Sequence, residues 1–286
     1  MATIGVIGGS GLYQIEGMAD VKEVDVPTPF GMPSDKFVSG TLEGTPVVFL
    51  PRHGRGHRIS PTEINNRANI WAMKKLGVQA IISVSAVGSL KLQVKPMDFL
   101  VPDQFIDRTA PRRHTTFFTE GIVAHVGLAE PISDEIAEII FKASEKVGVT
   151  VHKNGTYLNM EGPQFSTKAE SNLYRSWGCD VIGMTNLPEA KLAREAEISY
   201  ATLAAVTDYD CWHHSHGNVT VEMIIEYLTR NIENARKILK IAIPKAGKLK
   251  KFSAADALKG AIMTDPILIP EQKKVDLDII IGKYIK

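Results

Sequence analysis

The sequence predicts an α/β fold, a single domain with a central mixed β-sheet flanked by helices. Three observations carry that expectation. Short apolar runs alternate along the chain with stretches of helical period, the pattern of strands linked by helices. Several of those runs end directly in glycine-, serine- or arginine-rich segments, as strands do when they deliver the chain to a turn. No linker-like stretch divides residues 1–286, so one domain is expected, with the tail from about residue 247 as a candidate interface extension.

The first strand is Ile4, Val6 and Ile7, followed at once by Gly8-Gly9-Ser10-Gly11. Glycines there let backbone N–H groups converge and Ser10 adds a hydroxyl, so the turn is either a plain strand ending or an anion cradle suited to phosphate. It lacks the Lys and Ser/Thr that close a Walker loop. Gln14 stands where a dinucleotide fingerprint needs a small residue, so neither ATP hydrolysis nor NAD binding is supported. Residues 47–50 form a second strand that ends in Pro51-Arg52-His53-Gly54-Arg55-Gly56-His57. Arginine offers a planar fork of donors that matches phosphate, against the alternative of a solvated basic loop.

A helix is expected over 61–76, with Pro61 in its first turn and Gly77 as its stop. Residues 80–89 read as a strand running into a Gly/Ser turn, where Ser85 and the N–H of Ala86 are further anion donors. A short strand at 99–101 leads into a long loop, 103–121, with His125 just beyond it. A helix is expected over 133–148, ending at glycine.

Residues 155–160 form a strand that meets Glu161-Gly162-Pro163-Gln164-Phe165-Ser166, a forced turn from which Phe165 either packs in the core or stacks on a flat ligand. A helix over 167–177, a strand over 180–184 ending at Met184-Thr185, and a helix over 187–197 follow. The last clear strand, 199–206, runs into Thr207-Asp208-Tyr209-Asp210-Cys211-Trp212. Carboxylates at i and i+2 of an extended segment face one side and can cover two hydrogen-bonding sites on one edge of a flat ring. The next loop carries His213, His214 and His216 without familiar metal-ligand spacing, and a mobile lid is the preferred reading. A long helix is expected over 220–243, ended by Pro244 and Gly247, then a short helix over 254–263. Residues 275–285 read as a terminal strand or an interface strap.

Bulk properties restrict function further. Thirty-three Lys plus Arg against 32 Asp plus Glu leave a net charge of +1, which provides no field for nucleic acid or an anionic membrane. Neither a leader pattern nor an apolar run of spanning length occurs in the sequence, so a cytoplasmic location is expected. Cys179 and Cys211 lack metal or redox spacing and read as small hydrophobes.

Eight blocks in order, VIGGSGL, RHGRGH, NNRANIWAMKKLG, SAVGSL, DQFIDRT, EGPQFSTKAES, VIGMTNLPEAKLAREA and AAVTDYDCW, resemble the methylthioadenosine phosphorylases, part of the larger trimeric purine nucleoside phosphorylase family. The likeness covers residues 3 to 245, more loosely to about 270, with the tail from Glu271 unmatched. It implies a nucleoside phosphorylase-like fold and attack of inorganic phosphate on 5′-methylthioadenosine in methionine and purine salvage. It implies no cofactor or metal, phosphate being a co-substrate. By motif position, Ser10, Arg52, His53, Ser85, Ala86 and Thr185 hold phosphate. Met184 meets the ribose and His57 lies near its 5′ side. Phe165 and Ser166 lie at the base, with Asp208 as acid at N7 and Asp210 at the exocyclic amine. Val221, Ile224 and Ile225, with His125 and Leu268 of a neighbouring subunit, enclose the methylthio group. A homotrimer, or a dimer of trimers, with sites at subunit interfaces is implied. The alternative on the same fold is a 6-oxopurine nucleoside or methylthioinosine phosphorylase; Asp rather than Asn at position 208 favours the 6-amino base.

Overall fold

The computed structural model describes residues 1–9, 12, 14–110, 114–213 and 221–285, with the backbone alone at 221–225 and 228. The chain opens with β1 (Thr3–Gly8), then β2 (Met18–Val24), β3 (Phe37–Leu42) and β4 (Thr45–Pro51). The sequence pattern did not announce β2 and β3. Strand β2 is an outer strand whose side chains are nearly all exposed, so it has no apolar alternation to betray it. Helix α1 (Asn66–Lys75) starts later than expected: Pro61–Glu63 is a separate 3₁₀ turn, and the Asn65 side chain caps the helix by accepting from the Ala68 N–H at 3.1 Å.

Strands β5 (Val78–Ser89), β6 (Phe99–Val101) and β7 (Gln104–Arg108) follow, then helix α2 (Asp134–Val147), which stops at left-handed Gly148. Strand β7 corrects the long loop expected from residue 103. It runs parallel to β9 (Thr156–Met160) over five residue pairs, with Phe105 tilted on Tyr157 at 5.4 Å. It forms by pairing on one side only, which leaves its side chains half-exposed and its sequence unremarkable. Strand β8 (Val151–Lys153) precedes β9 in the chain and pairs with β6.

Helix α3 (Lys168–Ser176) opens on a Thr167/Glu170 capping box, and strand β10 (Val181–Gly183), helix α4 (Asn186–Glu195) and strand β11 (Ser199–Asp208) complete the inner layer. Helix α5 (Val221–Gly247) does not stop at Pro244. Ala242, Ile243 and Ala246 are fully buried and the Ala2 N–H donates to Gly247 O at 2.9 Å, so tertiary packing holds the last turn despite the missing proline donor. The tail contains helix α6 (Glu271–Ile281) where a strand or strap was expected. Its Ile-rich end suggested a strand, but Leu277, Ile280 and Ile281 share one buried helical face, and the indole N–H of Trp71 donates to Asp276 O at 2.9 Å.

The sheet is mixed and eleven-stranded, ordered β2-β3-β4-β1-β5-β10-β9-β7, with β11 on the other side of β5 and β6 and β8 beyond it. Strands β4, β1, β5 and β11 are mutually parallel, so their carboxyl ends point one way. Along one edge of β5, β1 pairs as far as Ser83 and β10 takes over, antiparallel, at Gly88. Among the described residues, 84–87 therefore have no strand partner on that edge, and the sheet forks there.

Glu195, on the last turn of α4, accepts from the Phe117 N–H at 2.7 Å while 7% exposed. Burial pushes its carboxyl up from 4.5 to about 7. A raised acid holds its proton longer folded than unfolded, so the stability it contributes is complete below pH 4.5 and is lost as pH rises to 7. Glu195→Gln, which keeps an acceptor oxygen without the charge, is expected to raise the melting temperature at pH 8 and leave it unchanged at pH 4.5, worth on the order of 3 kcal/mol. Thermal denaturation at the two pH values checks this.

Candidate active site

The fork in β5 gathers the segments singled out in the sequence. Strand β4 delivers Arg52, whose backbone N–H donates to Gly8 O at the end of β1 at 3.0 Å. Strand β10 delivers Met184 and Thr185, and β11 delivers Asp208 opposite Gly88. Ser85 and Ala86 lie on β5 between these groups. Ser85 is buried, whereas Ala86 is exposed on a central strand whose neighbouring positions are buried, which marks open space above it. Arg52 touches β5 at Val84 and Asp208 pairs at Gly88, four residues on and about 13 Å away at strand rise.

At the Gly88 end two carboxylates meet. The Thr207 hydroxyl donates to Asp208 Oδ2 and the Asp210 N–H to Asp208 Oδ1, each at 2.7 Å. The pairing differs from the extended geometry expected: the strand stops at Asp208, and Asp210 turns back with a φ of 52°. A Cβ on Gly88 would stand 2.9 Å from Asp208 Oδ1 and 3.4 Å from Asp210 Cβ, so glycine makes room for both. Burial raises the pKa of each acid, and for Asp210 the nearby Asp208 charge adds to the rise. Ser166 joins this end through its carbonyl, 3.3 Å from Cys211 Sγ. Phe165 projects from the preceding turn, 73% exposed.

Tyr157 reaches the middle of the fork, its hydroxyl 3.3 Å from Ser85 Oγ, and burial pushes the phenol up to about 12, so it stays neutral. It passes so close to Gly183 that a Cβ there would lie 1.9 Å from the hydroxyl. Met184 packs against Gly162, where a Cβ would stand 2.4 Å from Sδ.

At the other end Thr185 is the N-cap of α4, with no capping bond from its hydroxyl, and the helix start favours negative charge. His53 donates from Nδ1 to Ile59 O at 2.9 Å, since a carbonyl only accepts, and stacks on His57 at 4.3 Å. Burial and the Arg52 charge hold its imidazole down at about 4. Arg52 is 3% exposed, and its fork faces Glu189 in a bidentate pair, Nε to Oε1 at 2.6 Å and Nη2 to Oε2 at 3.0 Å.

Glu189 and Tyr157 escaped the sequence reading, and Gly88, expected in a Gly/Ser turn, lies within β5. Glu189 stands in the block VIGMTNLPEAKLAREA, but a glutamate four positions into a helix looks like any solvated first-turn acid. Ser10, His214 and His216, and the side chains of Val221, Ile224 and Ile225, lie outside the described residues, and with them the lid reading. His125 and Leu268 are exposed away from the fork: the His125 N–H donates to Ala261 O, and Leu268 is 71% exposed nearby in the chain. Among the described residues no group of His, Cys, Asp and Glu is arranged to hold a metal, and no helix is long and apolar enough to cross a membrane.

Comparison with known proteins identifies relatives along the whole chain. Residues 3–244 match the phosphorylase superfamily. The S-methyl-5′-thioadenosine phosphorylase of Geobacter sulfurreducens is 55% identical over 282 residues, 99% of each chain, so the relatives extend over the tail that the sequence blocks left unmatched. A methylthioadenosine phosphorylase from an antarctic soil metagenomic library superposes with a TM-score of 0.94 at 47% identity, covering 98% of both chains. The methylthioadenosine phosphorylase of Schistosoma mansoni in complex with adenine gives 0.82 at 36% identity, covering 91% of this chain and 97% of that one. The chain belongs to the phosphorylase superfamily and, within it, to the methylthioadenosine phosphorylase family.

Proposed function

We propose that the chain catalyses phosphorolysis of 5′-methylthioadenosine to adenine and 5-methylthioribose 1-phosphate, serving salvage of methionine and purine in the cytoplasm. The observation that carries this reading is the spacing along β5: a raised carboxylate pair at one end, anion-binding groups at the other, and an open strand edge between them. About 13 Å at strand rise suits a nucleoside with phosphate beneath its sugar.

In this reading phosphate lies by Arg52, His53, Ser85, Ala86 and Thr185, with Ser10 completing the cradle. A phosphate oxygen bonds to the anomeric carbon as the bond to the base breaks, through an oxocarbenium-like transition state. The electron pair of the broken bond goes to the purine, and a proton from Asp208 reaches N7. Burial raises the pKa of Asp208, the direction a general acid requires. Asp210, ionised, accepts from the exocyclic amine; a 6-oxo base would place an acceptor against it. Phe165 and Ser166 border the base, Met184 the ribose and His57 its 5′ side.

The subunits form a homotrimer in this reading, alone or paired into a hexamer. Val123, Met263, Ile267 and Leu268 are exposed apolar side chains on one region, where Ala124 bridges Ile262. Leu268 and His125 from that region close a neighbour's methylthio pocket together with Val221, Ile224 and Ile225.

Adenine release from methylthioadenosine is expected to require phosphate and to fall on the alkaline side as Asp208 ionises. Ultraviolet assay with and without phosphate, across pH, checks both. Undiminished release without phosphate would indicate a hydrolase, and preference for methylthioinosine would overturn the assignment of Asp208 and Asp210.

A further inference from the structure

Glu189 takes no part in the chemistry above, yet it lies directly behind Arg52. The Arg52 guanidinium has five N–H bonds to place. Nε donates to Glu189 Oε1 at 2.6 Å, and Nη2 donates to Ser83 Oγ at 2.6 Å and Glu189 Oε2 at 3.0 Å. Nη1 donates one hydrogen to Val84 O at 2.8 Å. Among the described residues four donors are thus committed, and one N–H, on Nη1, is left over beside Val84 on β5.

Glu189 is itself fixed. Oε2 accepts from Ser83 Oγ at 2.9 Å and from the Tyr200 hydroxyl at 2.8 Å. The Asn186 amide donates to both of those hydroxyls, at 3.0 and 2.8 Å. Ser83, Glu189, Asn186 and Tyr200 are all at most 2% exposed. A buried network in which every member has partners allows one arrangement, whereas a long arginine at an open site samples many.

We propose that Glu189 is a positioning residue for the phosphate co-substrate: it clamps the Nε/Nη2 edge of Arg52 so that a single N–H of Nη1 is presented at the fork in one direction. The inference rests on the phosphorolysis reading. It assigns Arg52 a directional role, one aimed donor in place of an open fork. The pair also cancels the arginine charge locally, so recognition of the anion depends on aim more than on net attraction.

Steady-state kinetics of Glu189→Gln, with phosphate and nucleoside varied separately, test it. The amide keeps the volume but turns one donor group toward the guanidinium, so the clamp loses one of its two bonds. The KM for phosphate is expected to rise about tenfold to a hundredfold, the value of a hydrogen bond to a charged group, with the KM for nucleoside unchanged. Tyr200→Phe, which removes one bond to Glu189 and leaves Arg52 untouched, is expected to move the phosphate KM alone and by less; it carries the test if the glutamine variant does not fold. Equal rises in both KM values, tighter phosphate binding, or a lowered melting temperature with unchanged phosphate KM would overturn the proposal. Cleavage by the unaltered enzyme without phosphate would instead remove the reading on which it rests.

Discussion

Asp208→Asn is expected to lower turnover of methylthioadenosine by about a hundredfold to ten-thousandfold, the range a positioned general acid contributes. The side chain keeps its size and its place opposite Gly88, and its one carbonyl oxygen can accept from the Asp210 N–H as Oδ1 does now, while the bond from Thr207 to Oδ2 is lost to the new NH2 group. The ionisable proton is what disappears, so N7 leaves without one. The alkaline fall in activity should flatten in the variant, because the group responsible no longer titrates. Relative activity should also move toward 6-oxo nucleosides, since an amide presents a donor that persists at every pH. Full activity on methylthioadenosine in the variant would remove Asp208 as the acid; parallel assays of the 6-amino and 6-oxo nucleosides report both outcomes.

Arg52→Ala is expected to destabilise the protein by about 3–5 kcal/mol, because it leaves the Glu189 carboxylate buried without its cation. At roughly 2–4 °C per kcal/mol for a chain of this class, the melting temperature should fall by on the order of 10 °C. Activity measured on that variant mixes loss of the anion donor with loss of the fold. Adding Glu189→Gln to Arg52→Ala is expected to restore part of the melting temperature, since no buried charge then remains unpaired. A non-additive cycle of this kind belongs to residues in direct contact. Simple additivity of the two changes would show that the pair is not coupled in solution.

Much of this site was legible in the sequence because its parts stand where strands end. Arg52, Thr185 and Asp208 each follow an apolar run, and each is delivered to the fork by the strand before it. What escaped were partnerships between distant segments. Glu189 is 137 residues from Arg52 in the chain, and nothing local marks it as the recipient of that guanidinium. The same reason hid Tyr157, whose place beside Ser85 depends on Gly183 lacking a side chain. Strand β7 and helix α6 were misread for a related cause. One is made by pairing with β9 and the other by burying Leu277, Ile280 and Ile281 against the body of the protein. In both, tertiary contact outweighs local propensity.

Between Ser83 and Gly88, β5 parts from β1 before it meets β10. A cleft made by diverging backbones is not closed or widened by exchanging the residues around its mouth. Under the proposed function, drift in ligand preference is therefore expected to be separable from folding: changes at Ser166 or Phe165 should alter what enters while the architecture beneath stays as inherited. Laboratory selection for altered nucleosides should gather its successful substitutions on those rim turns, with unfolding behaviour close to that of the parent.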